Sequence, residues 1–167
     1  AFLLSMAHVM FYEVQKYDME FLLKRTNSTY LIGPDANYMR DGQTGKPLVW
    51  DLNTDRAVPF DTKEIRPALQ GTFMVDGVQG TTSFDMVRNQ FATYTPEWGE
   101  AMTTVPAKTI RRIAREFVEH ARIGSTIDID GFTFPFRPVS LNTERNVTNH
   151  RGGTYGDLTG KIINMLV

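Results

Sequence analysis

Apolar residues recur at spacings of three and four in several stretches of the chain, which is the pattern of helices with one buried face. The longest stretch runs from Pro106 to about Arg122, and lysine and arginine occupy its remaining faces. A largely buried helix is also predicted over residues 1–14, and another opens at Asp18. A final helix is predicted from the glycine pair at 152–153 to the last residue.

Two helix starts carry capping signals. Thr82 is followed three positions later by Asp85, which is an aspartate variant of the capping box. Thr95 precedes Pro96, so a capping hydroxyl stands next to a proline suited to the first turn. Helices are therefore predicted to begin at both places.

Short β-prone runs lie between these helices. Residues 28–61 indicate strands and turns, with an apolar strand at Pro47–Trp50. The pairs Asp76-Gly77 and Asp130-Gly131 predict tight hairpins, because both central positions of such a turn take positive φ. Two further strands are predicted at Ser125–Ile129 and Pro138–Leu141, and the second leads through a polar loop into the final helix. This order is typical of a ligand site at the carboxyl end of a parallel sheet.

Composition narrows the classes of function. The chain has 167 residues, 41% of them hydrophobic, which fits one globular domain or part of a larger one. Its 18 basic and 19 acidic residues leave a net charge of -1, so no broad positive surface is expected for nucleic acid or an anionic membrane. Cysteine is absent, so this chain alone cannot build a disulfide, a thiolate nucleophile or an iron-sulfur cluster.

The ends of the chain carry no targeting signal. The apolar opening at residues 1–10 is too short to span a bilayer and lacks the positive start of a signal peptide. The chain begins without methionine and stops on apolar residues, and we interpret both ends as cuts in a longer polypeptide.

The stretch from Asn142 to Thr154 combines arginine, histidine, amide and hydroxyl side chains with a pair of glycines, which makes it the best candidate for a binding site. Gly152 and Gly153 let the backbone approach a ligand closely, and the helix after them directs free N–H groups at an anion. Arg145 and Arg151 are placed to bind the same anion. The alternative is that the glycines only shape a turn and the arginines are solvated.

Histidines and basic residues elsewhere leave further alternatives open. His150 is either a donor or proton carrier at a ligand or a hydrogen-bonded structural residue. His8 and His120 lie on predicted helices without metal-ligand spacing, which favours structural roles. The basic helix from Pro106 also permits a DNA-binding hypothesis. Acidic residues around it favour intrahelical ion pairs instead.

Several motifs together resemble the large subunits of the dimethyl-sulfoxide-reductase family of molybdopterin oxidoreductases. Residues 1–9 followed by Tyr17-Asp-Met-Glu-Phe21 are similar to a helix of that family and its "YDxxF" step. Tyr94–Trp98 and Val105–Arg115 are similar to its "YTPEWA" and "GVPAxTIRxLA" segments. Thr148–Thr154, with the helix after it, resembles its pterin-side "QHxxGT" loop.

This resemblance implies a cofactor and partners. The cofactor is bis(molybdopterin guanine dinucleotide) with Mo or W, which carries out two-electron redox or oxo-transfer chemistry. The metal's protein ligand and a 4Fe-4S cluster belong elsewhere in the full subunit, so no metal ligand is expected here and the fragment alone is expected to be inactive. The implied partners are the rest of its own catalytic subunit, a small-molecule substrate and an iron-sulfur electron-transfer subunit, with no nucleic acid and no membrane insertion. The implied setting is a soluble prokaryotic protein, cytoplasmic or periplasmic.

The family motif also suggests individual residues. Asn149 and His150 match the "QH" pair, with asparagine one methylene shorter than the usual glutamine, and Gly152, Gly153 and Thr154 match the "GT" turn. Arg151 adds a charge suited to a pterin phosphate or an anionic substrate. His150 is the one catalytic candidate. The predicted cofactor-binding set is Arg145, Thr148, Asn149, His150, Arg151, Gly152, Gly153 and Thr154.

The predicted fold class is α/β. It is a Rossmann-like piece of parallel sheet with flanking helices and β-hairpin excursions, within a larger multidomain subunit. Its predicted parts are a helical segment at 1–27, a β-hairpin-rich insertion at 28–81 and an α/β cofactor-binding portion at 82–167. A non-enzymatic α/β module that binds phosphate or nucleotide remains the alternative function.

Overall fold

The computed structural model describes residues 1–143 and 149–167, which form two compact units. The first unit comprises Ala1–Asp18 and Phe91–Val167, and the second comprises Met19–Gln90. The boundaries proposed from the sequence, after residues 27 and 81, remain predictions about a longer chain.

Helices and short strands occur in groups along the described chain, with five strands between α2 and α3 and two before the last helix. The helices are α1 (Phe2–His8), a π-helical segment (Val9–Val14), α2 (Met19–Arg25), α3 (Ser83–Gln90), α4 (Pro96–Thr103), α5 (Ala107–His120) and α6 (Gly153–Met165). The strands are β1 (Leu31–Ile32), β2 (Leu48–Asp51), β3 (Arg56–Pro59), β4 (Thr72–Val75), β5 (Val78–Thr82), β6 (Thr126–Ile129) and β7 (Phe132–Pro135).

The first unit is built around α1, which packs against α4, α5 and α6. The apolar periodicity predicted for α5 is confirmed, because Ile110, Ala114 and Val118 are buried at intervals of four. Burial of a side chain the size of Ile110 contributes roughly 1.5–3 kcal/mol. The predicted helix over residues 1–14 is also confirmed, although its second half is π-helical.

Gly99 permits the close approach of α1 and α4. A Cβ atom on Gly99 would overlap the hydroxyl of Ser5 and would lie 2.9 Å from Cδ1 of Ile110. Ser5 is fully buried, and its hydroxyl donates to the carbonyl oxygen of Thr95 at 3.0 Å. Thr95 itself caps α4 by accepting from the N–H of Trp98, as its sequence predicts.

The second unit contains a three-stranded antiparallel sheet in the order β1-β5-β4 and the antiparallel pair β2-β3. Leu31, Leu48 and Val75 form its buried cluster. Trp50 and Phe73 pack against this cluster and stack with ring centroids 4.6 Å apart. The strand predicted at Pro47–Trp50 is therefore confirmed as β2.

Both Asp-Gly hairpins are confirmed. Asp76 and Gly77 have φ of 50° and 80°, and they join β4 to β5. Asp130 and Gly131 have φ of 51° and 83°, and they join β6 to β7. Positive φ at both central residues is what a type I′ turn requires.

The β6-β7 hairpin has an uncovered apolar face. Ile127 pairs with Phe134 and Ile129 pairs with Phe132, so all four side chains share one face of the ribbon. All four are exposed, and 67% of Phe132 is accessible to solvent. A two-stranded ribbon alone is only marginally stable in water, so this face is a place where further protein would add stability.

One sheet prediction needs correction. The mixture of helices and strands is confirmed, but every strand pairing among the described residues is antiparallel, and these residues form no parallel sheet. Pro138–Leu141 was predicted as a strand and is irregular. The reason is that the side chain of Asn164 binds both the N–H and the carbonyl oxygen of Leu141, each at 2.7 Å. Those two groups are therefore not available to a neighbouring strand.

Candidate functional site

Six of the eight predicted cofactor-binding residues, at positions 149–154, lie in a bend at the start of α6. Gly152 is the residue before the helix and has φ of 80°, in the left-handed region that favours glycine. A Cβ atom on Gly152 would have no neighbour within 4 Å, so no steric contact within the described chain requires glycine here. The space beside this backbone is open to another molecule.

The first turn of α6 retains a free backbone donor. The N–H of Gly153 donates to the carbonyl oxygen of His150 at 2.8 Å, and that of Tyr155 donates to Gly152 at 3.1 Å. Among the described residues, no side chain caps the helix and the N–H of Thr154 has no acceptor. Helix N-termini with such unused donors favour anions.

The polar side chains of the bend face outward. Asn149, His150, Arg151 and Thr154 are exposed, whereas Gly153 is buried against the helical scaffold. Within residues 1–143 and 149–167, Arg151 has no carboxylate partner. With respect to the described residues, the bend therefore offers a guanidinium without a compensating carboxylate beside a helix N-terminus. The other two predicted residues, Arg145 and Thr148, lie outside the described residues.

The segment before the bend is held along one face of α6. The hydroxyl of Thr143 donates to a carboxylate oxygen of Asp157, and Lys161 binds the other oxygen of that carboxylate at 2.7 Å. A Cβ atom on Gly160 would lie 3.1 Å from the methyl group of Thr143, so this contact favours glycine. Together with the Asn164 bonds, these contacts fix residues 141–143 against α6. Local sequence patterns did not identify Asp157 or Asn164 as anchors, because the residues that they hold are 14 and 23 positions away.

Hydrogen bonding holds Asp157 in its ionised form. The ammonium group of Lys161 and the hydroxyl of Thr143 lower the pKa of Asp157 below its ordinary value of 3.8. The carboxylate is therefore ionised at neutral pH, and both of its oxygens already accept hydrogen bonds from these two neighbours. It strengthens the scaffold, and its negative charge is offset by Lys161.

His8 has the structural role that the sequence favours. His8 Nδ1 lies 2.8 Å from the carbonyl oxygen of Phe91, which can only accept, so Nδ1 carries the proton. The ring of His8 also stacks on Tyr12 with centroids 4.9 Å apart. His120 is exposed in the last turn of α5, and its role stays a prediction.

The basic face of α5 is largely paired. Arg111 donates to Glu97 at 2.6 Å and to Glu13 at 2.8 Å. These two bonds raise the pKa of Arg111 above its ordinary value, and the Arg111 guanidinium lowers the pKa of Glu97. Arg112 pairs with Glu116 one turn away at 2.7 Å, which confirms the predicted intrahelical pairing. This arrangement gives the DNA-binding hypothesis no support.

Other parts of the described chain provide no metal centre. Residues 1–143 and 149–167 contain no cluster of three or more histidine, aspartate or glutamate side chains that could hold a metal ion. No helix in these ranges is long and apolar enough to cross a membrane. Cavities of about 360 and 510 Å³ lie in the second unit, and one of about 440 Å³ lies beside α5. The bend lines none of these three.

Comparison with known proteins points to oxidoreductase subunits. No protein-family model matches the chain. The chain is 31% identical to a sulfite dehydrogenase subunit of Allochromatium vinosum over 121 residues, which is 64% of this chain and 12% of that protein. It is 28% identical to the alpha subunit of perchlorate reductase from Dechloromonas aromatica, over 70% of this chain and 17% of that protein. It is 27% identical to the alpha subunit of dimethylsulfide dehydrogenase from Rhodovulum sulfidophilum, over 92% of this chain and 19% of that protein.

These relatives are catalytic subunits of the dimethyl-sulfoxide-reductase family of molybdoenzymes. The resemblance found in the sequence is therefore confirmed, and the chain matches a fragment of that family. It spans less than a fifth of the length of these relatives.

Proposed function

We propose that this chain is a segment of the large catalytic subunit of a molybdopterin-dependent oxidoreductase. In this proposal, the bend from Asn149 to Thr154 helps to bind bis(molybdopterin guanine dinucleotide) carrying Mo or W. The observation that supports it best is the exposed cation of Arg151 beside the open, uncapped start of α6.

The residues of the bend fit the anionic part of such a cofactor. A phosphate oxygen can approach Gly152 closely because no side chain occupies that space. From there it can accept from the free N–H of Thr154, while Arg151 donates to the same group. His150 and Asn149 are exposed next to these donors and supply hydrogen bonds to polar edges of the pterin.

When bound, the cofactor would supply two-electron redox or oxo-transfer chemistry. The role of this segment would be to orient the cofactor and hold its charge. Because the bend is exposed in this segment, other parts of the subunit would have to enclose the cofactor. Arg145 and Thr148 belong to the proposed contact set, and His150 is the candidate for proton transfer. The 4Fe-4S cluster would lie elsewhere in the subunit, and the electron-transfer partner would be an iron-sulfur subunit.

The same geometry also supports a simpler function, namely binding of phosphate or nucleotide without redox chemistry. That alternative requires the isolated chain to bind by itself. Calorimetric titration of the 167-residue chain with guanosine diphosphate separates the two, because saturable binding without any metal or pterin in the purified full-length subunit would favour the simple module.

Arg151→Ala in the full-length subunit tests the proposed role of the bend. We expect its Mo or W content and its pterin content to fall severalfold, because one charge-assisted hydrogen bond to an anion contributes about 1.5–3 kcal/mol. Arg112→Ala is the matched control, since it removes an exposed arginine whose pair with Glu116 contributes only about 0.3–0.5 kcal/mol. Equal cofactor content in both variants and the wild type would mean that Arg151 is only solvated.

A further inference from the structure

Three positions on one face of α6 hold the segment that leads into the bend region. Asp157, Gly160 and Asn164 are spaced by three and four residues, so they line the same face of the helix. Asp157 and Gly160 contact Thr143, and Asn164 contacts Leu141. From Leu141 to Thr143 the segment therefore runs along α6 toward the bend, antiparallel to the helix, with successive contacts about one turn apart.

Asn164 makes the most demanding of these contacts. Its Oδ1 accepts from the N–H of Leu141 at 2.7 Å, and its Nδ2 donates to the carbonyl oxygen of Leu141 at 2.7 Å. One carboxamide thus satisfies both backbone groups of a residue that has no strand partner among residues 1–143 and 149–167. Only a side chain with a donor and an acceptor in this fork arrangement can do so.

We propose that Asn164 is a positioning residue for the cofactor-binding bend. It fixes Leu141 against α6, whose first turn carries Gly153 and Thr154, so that the segment entering residues 144–148 and the bend are held by the same helix. Asn164 itself is some three turns from the bend along α6 and does not need to touch the cofactor. This inference rests on the proposed function, because it assumes that the bend binds the pterin cofactor.

Asn164→Ala separates positioning from helix stability. Alanine has a higher helix propensity than asparagine, so the substitution favours α6 itself and removes only the two bonds to Leu141. Met165→Ala is the matched control, because Met165 is the next residue and is exposed. Both variants are made in the full-length subunit that carries this segment.

We expect two linked effects in Asn164→Ala. Hydrogen exchange in the peptide spanning residues 138–143 should be roughly fivefold to tenfold faster than in the wild type, as expected for loss of about one net hydrogen bond. The Mo or W and pterin content should fall at least twofold, with the melting temperature close to that of Met165→Ala. Unchanged exchange, unchanged cofactor content, or an equal cofactor loss in Met165→Ala would each overturn the proposal.

Asn164→Asp adds a pH signature that general destabilisation does not give. An ionised aspartate accepts from the N–H of Leu141 but repels its carbonyl oxygen, whereas a protonated one can donate to that oxygen. Cofactor retention in mild urea, relative to the wild type, should therefore recover as the introduced carboxyl group is protonated, between about pH 6 and about pH 3. Asn164→Ala should show no such recovery. If the alanine variant does not fold, this profile carries the test, and a flat profile refutes the positioning role.

The outcomes also distinguish this inference from the proposed function. If the wild-type subunit contains no Mo, W or pterin, the proposed function fails first. If the wild type is loaded and Asn164→Ala remains equally loaded, only the positioning role fails.

Discussion

Gly152→Ala separates the conformational cost of the bend from its proposed role in binding. Alanine at φ of 80° lowers the free energy of unfolding by about 1–2 kcal/mol, because the left-handed conformation is strained. A less flexible unfolded chain offsets about 0.4–1 kcal/mol of this loss. No clash adds to this, because the new Cβ has no neighbour within 4 Å. The net loss of about 1 kcal/mol should lower the melting temperature of the 167-residue chain by roughly 2–4 °C.

Gly131→Ala provides a control with the same backbone cost. Gly131 has φ of 83°, and a Cβ atom there also has no neighbour within 4 Å, so its shift in melting temperature should match that of Gly152→Ala. Gly131 lies in the β6-β7 turn and not in the bend.

Only Gly152→Ala should weaken cofactor binding in the full-length subunit. Its methyl group would keep a phosphate oxygen from the N–H of Thr154, and loss of that charge-assisted bond, worth about 1.5–3 kcal/mol, lowers affinity roughly tenfold to a hundredfold. Metal analysis and pterin fluorescence after dialysis measure the effect. Equal retention in the two variants would refute the reasoning, because it would mean that nothing approaches Gly152.

Three further predictions concern the scaffold. Gly99→Ala should lower the melting temperature by roughly 2–12 °C, since the new Cβ overlaps the buried Ser5 and overpacking costs about 1–3 kcal/mol; a shift under about 1 °C would contradict the close packing of α1 and α4. Asp157→Asn should be less stable than the wild type above pH 3.8, where the carboxylate with its lowered pKa binds Lys161, and the difference should vanish as pH falls below that value; a difference that persists in acid would argue against the ion pair. Phe132→Ser should reduce binding of a hydrophobic dye to the isolated chain without loss of helical circular dichroism, and unchanged dye binding would mean that the hairpin face is covered.

Local signals in the sequence predicted the elements that depend on neighbouring residues. The bounds of α5 follow from its apolar periodicity, and the start of α4 follows from a hydroxyl at Thr95 that caps its own helix. The Asp-Gly turns were predicted for the same reason, since the backbone requirement lies within the pair itself. The capping box at Thr82 was only partly right. The N–H of Asp85 lies 3.4 Å from the Thr82 hydroxyl, but the Asp85 carboxylate accepts from the distant N–H of Gly71.

Features that depend on distant residues were not predictable in this way. Pro138–Leu141 has the composition of a strand. However, the side chain of Asn164, 23 positions after Leu141, binds the backbone N–H and the carbonyl oxygen of Leu141. The glycines and the helix start of the candidate site were predicted from local pattern. The scaffold that holds the preceding segment was not, because asparagine or aspartate within a helix carries no sign of its partner.

Hydrogen exchange at the bend tests the central claim most directly. The full-length subunit is compared with and without its cofactor, and exchange is followed in peptides covering residues 149–156 and, as an internal reference, the β6-β7 hairpin at 126–135. Bound cofactor should slow exchange at 149–156 by roughly tenfold or more, as expected when a free N–H gains a charge-assisted bond, and should leave the hairpin unchanged. Identical exchange at 149–156 in the two forms would contradict the proposal that this bend holds the cofactor.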